Sequence, residues 1–525
     1  MSLCVTKKKK ENALFSHSMS HGLMDIHIPL PVQELLTTLA SNNFESFVVG
    51  GCVRDSLLAR EPKDWDITTN ALPEQIQALF PESFYENTFG TVSVKVIPFL
   101  TAGDPAREHD IIEVTTYRSE SGYLDGRHPG QVTFEDTLTA DLSRRDFTVN
   151  ALAYGKIQDE WKLVDPFGGE ADLHNKIVRT VGTADERFNE DALRLMRGVR
   201  LLTELRTVPK PVDDDFITND WSFDTATETS LKKLGSNIQH ISAERVRDEF
   251  SKIILSANAT YGIQLLENTG LLAYSMPELR AGIGVTQNLH HIYTVWEHNL
   301  RALHTCPSQK LVVRLACLLH DVGKPATKRG NGYRATFYNH DHVGARMTKV
   351  ILERLKYPGA IVKKATLLVD QHLFYYNVDE VTEASVRRLV KRVGLENMPD
   401  LMDVRIGDRL GSGVPKAKPY KLRHLEYMIE KVSHDPLSVK MLALKGTDLM
   451  TELAIKPGPT IGALLDVLLA EVIEEPKKNT LETLLTRAKE LQHESLEELR
   501  LLAQERIVDE KTKADTNIKK KHWVE

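Results

Sequence analysis

Two aspartates separated by a single residue are the most chemically informative pair in this chain. Asp64 and Asp66 flank Trp65 in the segment DWDIT, which has the composition of a β-strand. Side chains alternate along a strand, so both carboxylates should emerge on one face, a few ångströms apart. Two like charges at that distance repel unless a cation lies between them, and Mg²⁺ binds carboxylates together with substrate phosphates. The pair therefore predicts a magnesium site for a phosphorylated substrate, with two solvated strand carboxylates as the alternative.

The residues before this pair form the elements that must position it. Phe47 to Val49 is an apolar run typical of a strand, and it ends at the turn Gly50-Gly51. Residues 52–59 have helical spacing. Free N–H groups at a helix start favour an anion. A glycine turn, a helix and a carboxylate pair in this order predict a nucleoside-triphosphate site.

A third carboxylate follows on a later strand. The alternating segments Thr91 to Ile97 and Asp110 to Thr116 both predict strands, and Glu113 lies on the second of them. Such a group would act as a base or complete a metal pair beside the two aspartates. An exposed strand residue is the alternative. Tyr117 to Val132 is polar and contains glycine and proline, which predicts a long loop.

The segment SRRDFTVN adds residues suited to the rest of a nucleotide. Its adjacent arginines, Arg144 and Arg145, suit a polyphosphate because a guanidinium group binds phosphate oxygens in pairs. Asp146 and Asn150 would hold a ribose. The segment therefore belongs to the same predicted site.

A second informative stretch, Arg187 to Leu202, predicts one amphipathic helix. Asp191, Arg194 and Arg197 are three residues apart and should line one ridge of it. An aspartate accepts from an exocyclic amino group while an arginine donates to a ring nitrogen, and cytosine and adenine offer both groups. Uracil and guanine would leave polar groups unpaired, at a cost of about 1–3 kcal/mol. The ridge predicts selection of C and A, with a salt-bridged surface helix as the alternative.

The motif GGCVRDSLL…DWDIT resembles the signature of the nucleotidyltransferase superfamily that contains tRNA nucleotidyltransferases (CCA-adding enzymes) and bacterial poly(A) polymerases. The resemblance covers about residues 44 to 490. It implies that Asp64 and Asp66 bind two Mg²⁺ ions and that Asp191 and Arg194 choose the base. The phosphates would be positioned by a further set of residues: Gly50, Gly51, Arg54 and Arg145.

A different chemistry is indicated by histidines and aspartates between residues 286 and 410, several of them on otherwise apolar helices. Imidazole with carboxylate suits transition metals that activate water. The pattern looks like the HD phosphohydrolase domain that some bacterial tRNA nucleotidyltransferases carry. Such a site would take a metal such as Mn²⁺, Ni²⁺, Co²⁺ or Fe²⁺. The resemblance implies His298, His320, Asp321 and Asp408 as its ligands, with His340 and His372 as candidates for a second metal or for contacting a phosphate. The alternative is a fold that supports RNA and has lost its hydrolase activity, and His342 is expected to be incidental.

The composition limits the class of protein. The net charge of −6 excludes a uniformly basic nucleic-acid coat, and 41% hydrophobic residues supply ample core. The four cysteines have no C-x-x-C spacing, which fits a reducing compartment. There is no apolar run of about 20 residues and no apolar segment behind the lysines at residues 7–10. We therefore expect a cytoplasmic protein without a membrane span or an obligatory protein partner.

Together these features predict an α/β plus all-α chain. Its segments would be a flexible tail (1–24), a mixed-sheet nucleotidyltransferase head (25–182), a helical neck (183–275), an HD domain (276–435) and a helical tRNA-binding tail (436–525). The reaction would be template-independent addition of CCA to the tRNA 3′ end from CTP and ATP. Three alternatives stay open: a poly(A) polymerase, a metal-dependent phosphohydrolase with an RNA-binding head, and a non-catalytic RNA chaperone.

Overall fold

The computed structural model describes most of the chain, in two compact units. The described residues are 26–85, 90–99, 109–121, 131–207, 220–288, 292–378, 380–414, 417–433, 439 and 442–524. The tail predicted at residues 1–24 lies outside them. The first unit comprises Met1–Gly198 and Asn219–His240, and the second comprises Val199–Thr218 and Ile241–Glu525. No helix among the described residues is both long and apolar enough to cross a membrane.

A mixed seven-stranded sheet organises the first unit, in the spatial order β3-β4-β5-β2-β1-β8-β9. Strands β2 and β5 run parallel, while the other neighbours in the sheet are antiparallel. Two further two-stranded sheets pair β6 with β7 and β10 with β11. The strands are β1 Ser46–Val49, β2 Asp66–Thr69, β3 Ser83–Tyr85, β4 Thr91–Val96, β5 Asp110–Thr116, β6 Arg118–Ser121, β7 Gln131–Phe134, β8 Ala153–Ile157, β9 Glu160–Val164, β10 Ile177–Val178 and β11 Ser222–Phe223.

The centre of the sheet is its most apolar part. All four residues of β1 are buried, because this strand has a neighbour on each edge and is covered on both faces. Phe47 and Val49 pack in one cluster with Tyr117, Leu142 and Ala153. The site residues at the ends of β1 and β2 are therefore attached to the buried centre of the sheet.

Among the described residues, eight helices belong to this unit or lead out of it, and the division between the units falls inside the seventh. They are α1 Leu30–Ser41, α2 Gly51–Leu57, α3 Pro73–Leu79, α4 Leu138–Ser143, α5 Gly169–His174, α6 Ala184–Glu190, α7 Leu193–Leu205 and α8 Thr225–Leu234.

Two local predictions are wrong. The single helix expected from Arg187 to Leu202 is two helices, because the backbone at Asp191 is extended (φ −140°) and its carboxylate accepts a hydrogen bond from Leu193 N at 2.9 Å. Aspartate competes with helix propagation in this way by capping the next helix. The loop expected from Tyr117 to Val132 begins and ends as the paired strands β6 and β7, and its middle, residues 122–130, lies outside the described residues.

The described part of the second unit is helical. Its helices are α9 Ala243–Leu255, α10 Ala259–Asn268, α11 Leu272–Ser275, α12 Pro277–Arg280, α13 Val295–His304, α14 Leu311–Leu319, α15 Lys324–Thr327, α16 His340–Arg354, α17 Gly359–Gln371, α18 Glu383–Val393, α19 Met398–Gly411, α20 Tyr420–Ser433, α21 Gly446–Glu452, α22 Pro459–Glu474, α23 Leu481–Leu491 and α24 Leu496–His522. Residues of α21 to α24 share a separate apolar cluster around Leu464, Leu468 and Leu499. A mixed-sheet head followed by helices confirms the predicted fold class, while the five predicted segment boundaries stay predictions.

Candidate functional site

The parallel strands β2 and β5 bring two predicted carboxylates side by side. Asp66 is the first residue of β2 and its Cα pairs in register with that of Glu113 on β5, so both side chains project from one face. Asp64 precedes the strand by two residues and is exposed. Burial and the charges of Glu113 and Asp64 raise the pKa of Asp66 to about 6, although Arg145 opposes this. The three acidic groups thus share one electrostatic environment.

This environment fits a cation. The charge on Asp66 is disfavoured by its acidic neighbours, and a divalent ion between them would remove the repulsion. Among the described residues, the groups of three metal-ligating side chains whose atoms all lie within 4.8 Å of one another are both in the second unit. The head carboxylates are therefore more widely spaced than a closed three-ligand site, and magnesium binding by Asp64 and Asp66 stays a prediction.

The glycine turn lies beneath two guanidinium groups. Gly50 has φ +84°, and a Cβ at this position would lie 3.1 Å from Nη1 of Arg145. A Cβ at Gly51 would lie 3.6 Å from Nη2 of Arg54. Helix α2 has only seven residues, so the positive charge over the turn comes from the arginines more than from helix N–H groups. The predicted phosphate-binding residues are therefore together in space.

A chain of polar contacts connects this turn to α7. Arg54 Nη1 donates to Asn150 Oδ1 at 2.7 Å, and Asn150 Nδ2 donates to Asp146 Oδ1 at 3.1 Å. Arg197 Nε donates to Asp146 Oδ2 at 2.7 Å. Burial would raise the pKa of Asp146, but Arg197 and Asn150 hold it well below its ordinary value. Asp146 thus positions Asn150 and Arg54, and a contact with ribose stays a prediction.

Asp191, Arg194 and Arg197, which were expected to line one ridge of one helix, do not lie on the same helix. Asp191 lies in the break between α6 and α7, so only Arg194 and Arg197 are on α7. Arg194 is 8% exposed. Its guanidinium group bonds to Glu190 Oε2 at 2.6 Å and to the Arg144 carbonyl at 2.9 Å. The predicted ridge is wrong, and base selection by Asp191 and Arg194 stays a prediction.

A second constellation lies in the second unit and is buried throughout. Asp321 is at its centre, and each carboxylate oxygen faces one pair of histidines. Oδ2 lies 3.2 Å from His298 Nε2 and 3.3 Å from His320 Nε2. Oδ1 lies 3.3 Å from His340 Nε2 and 3.8 Å from His372 Nε2. These are the two potential metal groups within 4.8 Å, and they share Asp321.

Three of the four histidines are oriented by a contact of Nδ1, so that each presents Nε2 to Asp321. The Nδ1 atoms of His320, His340 and His372 lie 2.8, 2.8 and 2.6 Å from the carbonyl oxygens of Cys317, Phe337 and Val369, each three residues earlier. An Nδ1–H donated to a carbonyl leaves the lone pair on Nε2, which is the atom that faces Asp321. Asp321 Oδ1 has no hydrogen-bond partner among the described residues, while Oδ2 forms an ion pair with Lys324. Both observations fit a metal centre.

Asp408 completes the predicted ligand set. Its Oδ1 lies 3.2 Å from His298 Nε2, and Arg405 Nη1 donates to its Oδ2 at 2.6 Å. Burial would lower the pKa of His320, but Asp321 and Asp408 raise it to about 10. The two carboxylates therefore favour positive charge beside His320, whether a proton or a metal ion carries it.

The structure adds residues that the sequence analysis did not assign. Lys324 Nζ lies 2.6 Å from Asp321 Oδ2, and Arg405 binds Asp408. Both are three residues from the aspartate that they contact, which is the helical spacing that could have identified them. Glu190, which holds Arg194, is four residues before it. His342 is exposed and bonds to Asp370, away from the buried cluster, and its incidental role stays a prediction.

Three family models match the chain. Residues 46–179 match the poly A polymerase head domain, residues 220–283 an RNA- and SrmB-binding site of polymerase A, and residues 345–488 the tRNA nucleotidyltransferase domain 2. The crystal structure of the Bacillus stearothermophilus CCA-adding enzyme in complex with CTP is similar, with a TM-score of 0.55 and 26% identity. The match covers 89% of this chain and 99% of that one.

The relatives that are similar in sequence include a CCA-adding enzyme and an A-adding enzyme. The CCA-adding enzyme of Geobacillus sp. (strain WCH70) is 40% identical over 249 residues, which are 47% of this chain and 54% of that protein. This chain thus spans about half the length of that relative. The A-adding tRNA nucleotidyltransferase of Deinococcus radiodurans is 36% identical over 353 residues, which are 64% of this chain and 76% of the relative. This chain therefore belongs to the nucleotidyltransferase family of tRNA nucleotidyltransferases and poly(A) polymerases.

Proposed function

We propose that this chain adds CMP, CMP and AMP to the 3′ end of tRNA from CTP and ATP without a nucleic-acid template. The observation that carries this proposal is the in-register pair Asp66 and Glu113, beside a glycine turn covered by Arg145. An acidic pair next to a phosphate-binding turn is the arrangement that nucleotide transfer requires. Similarity to a CCA-adding enzyme solved with CTP supports the choice of substrate.

In this proposal, different residues of the head bind the phosphates, accept the proton and bind Mg²⁺. Arg54 and Arg145 would neutralise the two phosphates that leave as pyrophosphate, while the tRNA 3′-oxygen bonds to the α-phosphorus. Glu113 would take the hydroxyl proton, because it lies beside Asp66 where the attacking oxygen must approach. Asp64 and Asp66 would hold Mg²⁺, which when bound supplies charge neutralisation and lowers the pKa of the attacking hydroxyl.

Base selection in this proposal requires a change of partner. The guanidinium group of Arg194 is occupied by Glu190 and by the Arg144 carbonyl. To donate to a ring nitrogen, it would exchange one of these contacts for the base edge. Asp191 is suited to accept from the exocyclic amino group because it lies in the break between helices, three residues before Arg194.

Addition of A alone is the second candidate, favoured by similarity to the Deinococcus radiodurans relative over three quarters of that protein. Purified protein with Mg²⁺ should be incubated with tRNA lacking CCA and with tRNA ending in CC, supplying CTP and ATP separately and together. Extension of the first tRNA by three nucleotides supports CCA addition, and extension of only the second supports A addition. A long A tail would identify a poly(A) polymerase. Asp64→Asn should abolish addition, whereas Glu160→Gln, on an exposed residue of β9, should not.

We further propose that the cluster around Asp321 is a metal-dependent phosphohydrolase site. Its support is the convergence of four Nε2 atoms on one buried carboxylate, with two histidines facing each of its oxygens. Mn²⁺, Ni²⁺, Co²⁺ or Fe²⁺ on these ligands would supply a water activated for attack on a phosphoester. Hydrolysis of a 2′,3′-cyclic phosphate should be lost in His320→Ala and retained in Asp64→Ala. Loss of hydrolysis in both variants would refute a separate site.

A further inference from the structure

A cavity of about 450 Å³ lies in the second unit beside the Asp321 cluster. Three segments form it: the residues that follow His372, helix α19, and the first turns of α20. Their contributions include Phe374 and Tyr376, Arg405 and Arg409, and Tyr420 and Lys421. No motif of the sequence analysis pointed to this cavity. Its size is within the range of about 300–1,000 Å³ that small ligands occupy.

The chemistry of the lining is specific. Three side chains are aromatic and three are cationic, and among the described residues that line the cavity there is no carboxylate. An anion is favoured where cations face a low-dielectric wall. Aromatic rings add a stacking surface for a flat base. A nucleoside phosphate is the ligand class that needs both, because it joins a flat heterocycle to an anionic group.

The cationic side of the cavity adjoins the metal-ligand cluster. Arg405 Nη1 donates to Asp408 Oδ2 at 2.6 Å, and its guanidinium carbon lies 5.6 Å from the centre of the Phe374 ring. Arg409 follows Asp408 directly on α19 and also lines the cavity. Phe374 follows His372 by two residues. A phosphate bound by these arginines would therefore lie next to the ligands that the proposed hydrolase uses.

The aromatic wall is held in place before any ligand arrives. The Tyr376 hydroxyl and His424 Nδ1 are 2.6 Å apart, and the rings of Tyr420 and His424 have centroids 5.9 Å apart. Tyr420 remains 40% exposed, so its ring forms the mouth of the cavity. A wall fixed by its own contacts loses little side-chain entropy on binding.

We propose that this cavity binds one nucleoside phosphate, with the base against Tyr376 and Tyr420 and the phosphate on Arg405 and Arg409. The claim that the cavity binds such a ligand depends only on the residues that line it. The further claim that this ligand is a substrate rests on the proposed phosphohydrolase activity. A free mononucleotide and the terminal nucleotide of an RNA both carry a base and a phosphate. The experiment distinguishes which of these two ligands the cavity binds.

The test is calorimetric titration of the full chain, in EDTA, with AMP, adenosine, inorganic phosphate and a trinucleotide that ends in a 3′-phosphate. Tyr420→Ala should weaken AMP binding about tenfold or more, since stacking on one ring contributes that much, and Tyr420→Phe should restore it. Arg409→Met should weaken AMP binding and reduce its dependence on salt. Arg387→Met, on an exposed arginine of α18, is the matched control and should leave binding unchanged.

The outcomes are decisive in each direction. If Tyr420→Ala and Arg409→Met both bind AMP like the parent, or if phosphate alone binds as tightly as AMP, the proposal is refuted. Should Tyr420→Ala fail to fold, Tyr420→Leu replaces it, because it removes the ring but keeps an apolar side chain, and it should weaken AMP binding in the same way. Tighter binding of AMP identifies a free nucleotide as the ligand, and tighter binding of the trinucleotide identifies an RNA end. Retained AMP binding without any cyclic-phosphate hydrolysis would refute the hydrolase and leave the pocket standing.

Discussion

Replacing Arg197 with methionine should leave a buried carboxylate in the head without its cation. Asp146 is only 7% exposed, and Arg197 contacts its Oδ2 through Nε at 2.7 Å and Nη2 at 2.6 Å. Asn150 Nδ2 and Phe147 N donate to Oδ1, and both hydrogen bonds are neutral. The substitution therefore removes all the charge donated by Arg197 and keeps these neutral contacts.

Removing one partner of a buried ion pair costs about 3–5 kcal/mol. The side chain of Arg197 is 36% exposed, so solvent screens part of its attraction, and we expect a loss of about 3 kcal/mol. For a unit of this size, such a loss lowers the melting temperature by about 6–12 °C. Scanning calorimetry of the full chain at pH 7.5 measures it. Lys232→Met, which removes an exposed cation from α8 of the same unit, is the control and should cost about 0.3–0.5 kcal/mol.

The pH dependence gives the sharper test. In the parent, the pKa of Asp146 is below that of the unfolded chain, so the pair stabilises the fold above about pH 4 and loses this contribution on further acidification. In Arg197→Met, burial is opposed only by Asn150 and Arg194, so the pKa of Asp146 is higher than in the parent and the variant loses less stability on acidification. The difference in stability between the two proteins should therefore shrink as the pH falls from 7.5. A loss no larger than that of Lys232→Met, or one independent of pH, would refute this reasoning.

Three more predictions concern the two sites. Asp66→Asn should lower nucleotide addition by more than about 100-fold. Because the pKa of Asp66 is raised, the parent loses stability as the pH rises from about 4 to 6. Without Mg²⁺, the melting temperature of the variant should therefore be above that of the parent at pH 8 and equal to it near pH 4. Equal melting at pH 8 would contradict the raised pKa. Gly50→Ala should cost about 1–2 kcal/mol, as φ is +84°, and should raise KM for ATP by displacing Arg145; an unchanged KM would separate Arg145 from the phosphates. His340→Ala should lose about half of the bound Mn²⁺ and Asp321→Asn nearly all of it, because only Asp321 belongs to both of the three-residue ligand groups. Elemental analysis of the purified variants measures the bound metal, and equal losses would argue against a shared ligand.

The parts that could be predicted from the sequence depend on local patterns. Alternation along β5 correctly indicated the strand that carries Glu113, and the glycine turn correctly indicated where β1 ends. The sequence contains no signal for the register between β2 and β5, because that register depends on contacts made by strands far apart in the chain. Its consequence, the raised pKa of Asp66, required the structure.

The incorrect predictions have local causes too. Spacing along residues 187–202 fits a helix, but periodicity does not reveal that the Asp191 side chain bonds to Leu193 N and interrupts it. The polar composition after Tyr117 suggested a loop, yet β6 and β7 pair with each other as a separate two-stranded sheet, in which polar residues are tolerated. The cavity lined by Tyr376, Arg405 and Tyr420 unites three separate segments, so no single stretch could indicate it.

The parallel pairing of β2 with β5, the only one in the described seven-stranded sheet, restricts where the chain can accept insertions and deletions. Strand β5 is held by six antiparallel pairs with β4, in which Ser93 lies opposite Glu113. Residues added between β4 and β5 leave the pairing of these two strands intact, so the length of the segment that connects them is free to vary. One residue added within β5 before Glu113 would instead turn this side chain to the opposite face and bring a hydrophobic neighbour beside Asp66. Evolution of this head is thus expected to accept changes of length between the strands and to reject them within β5.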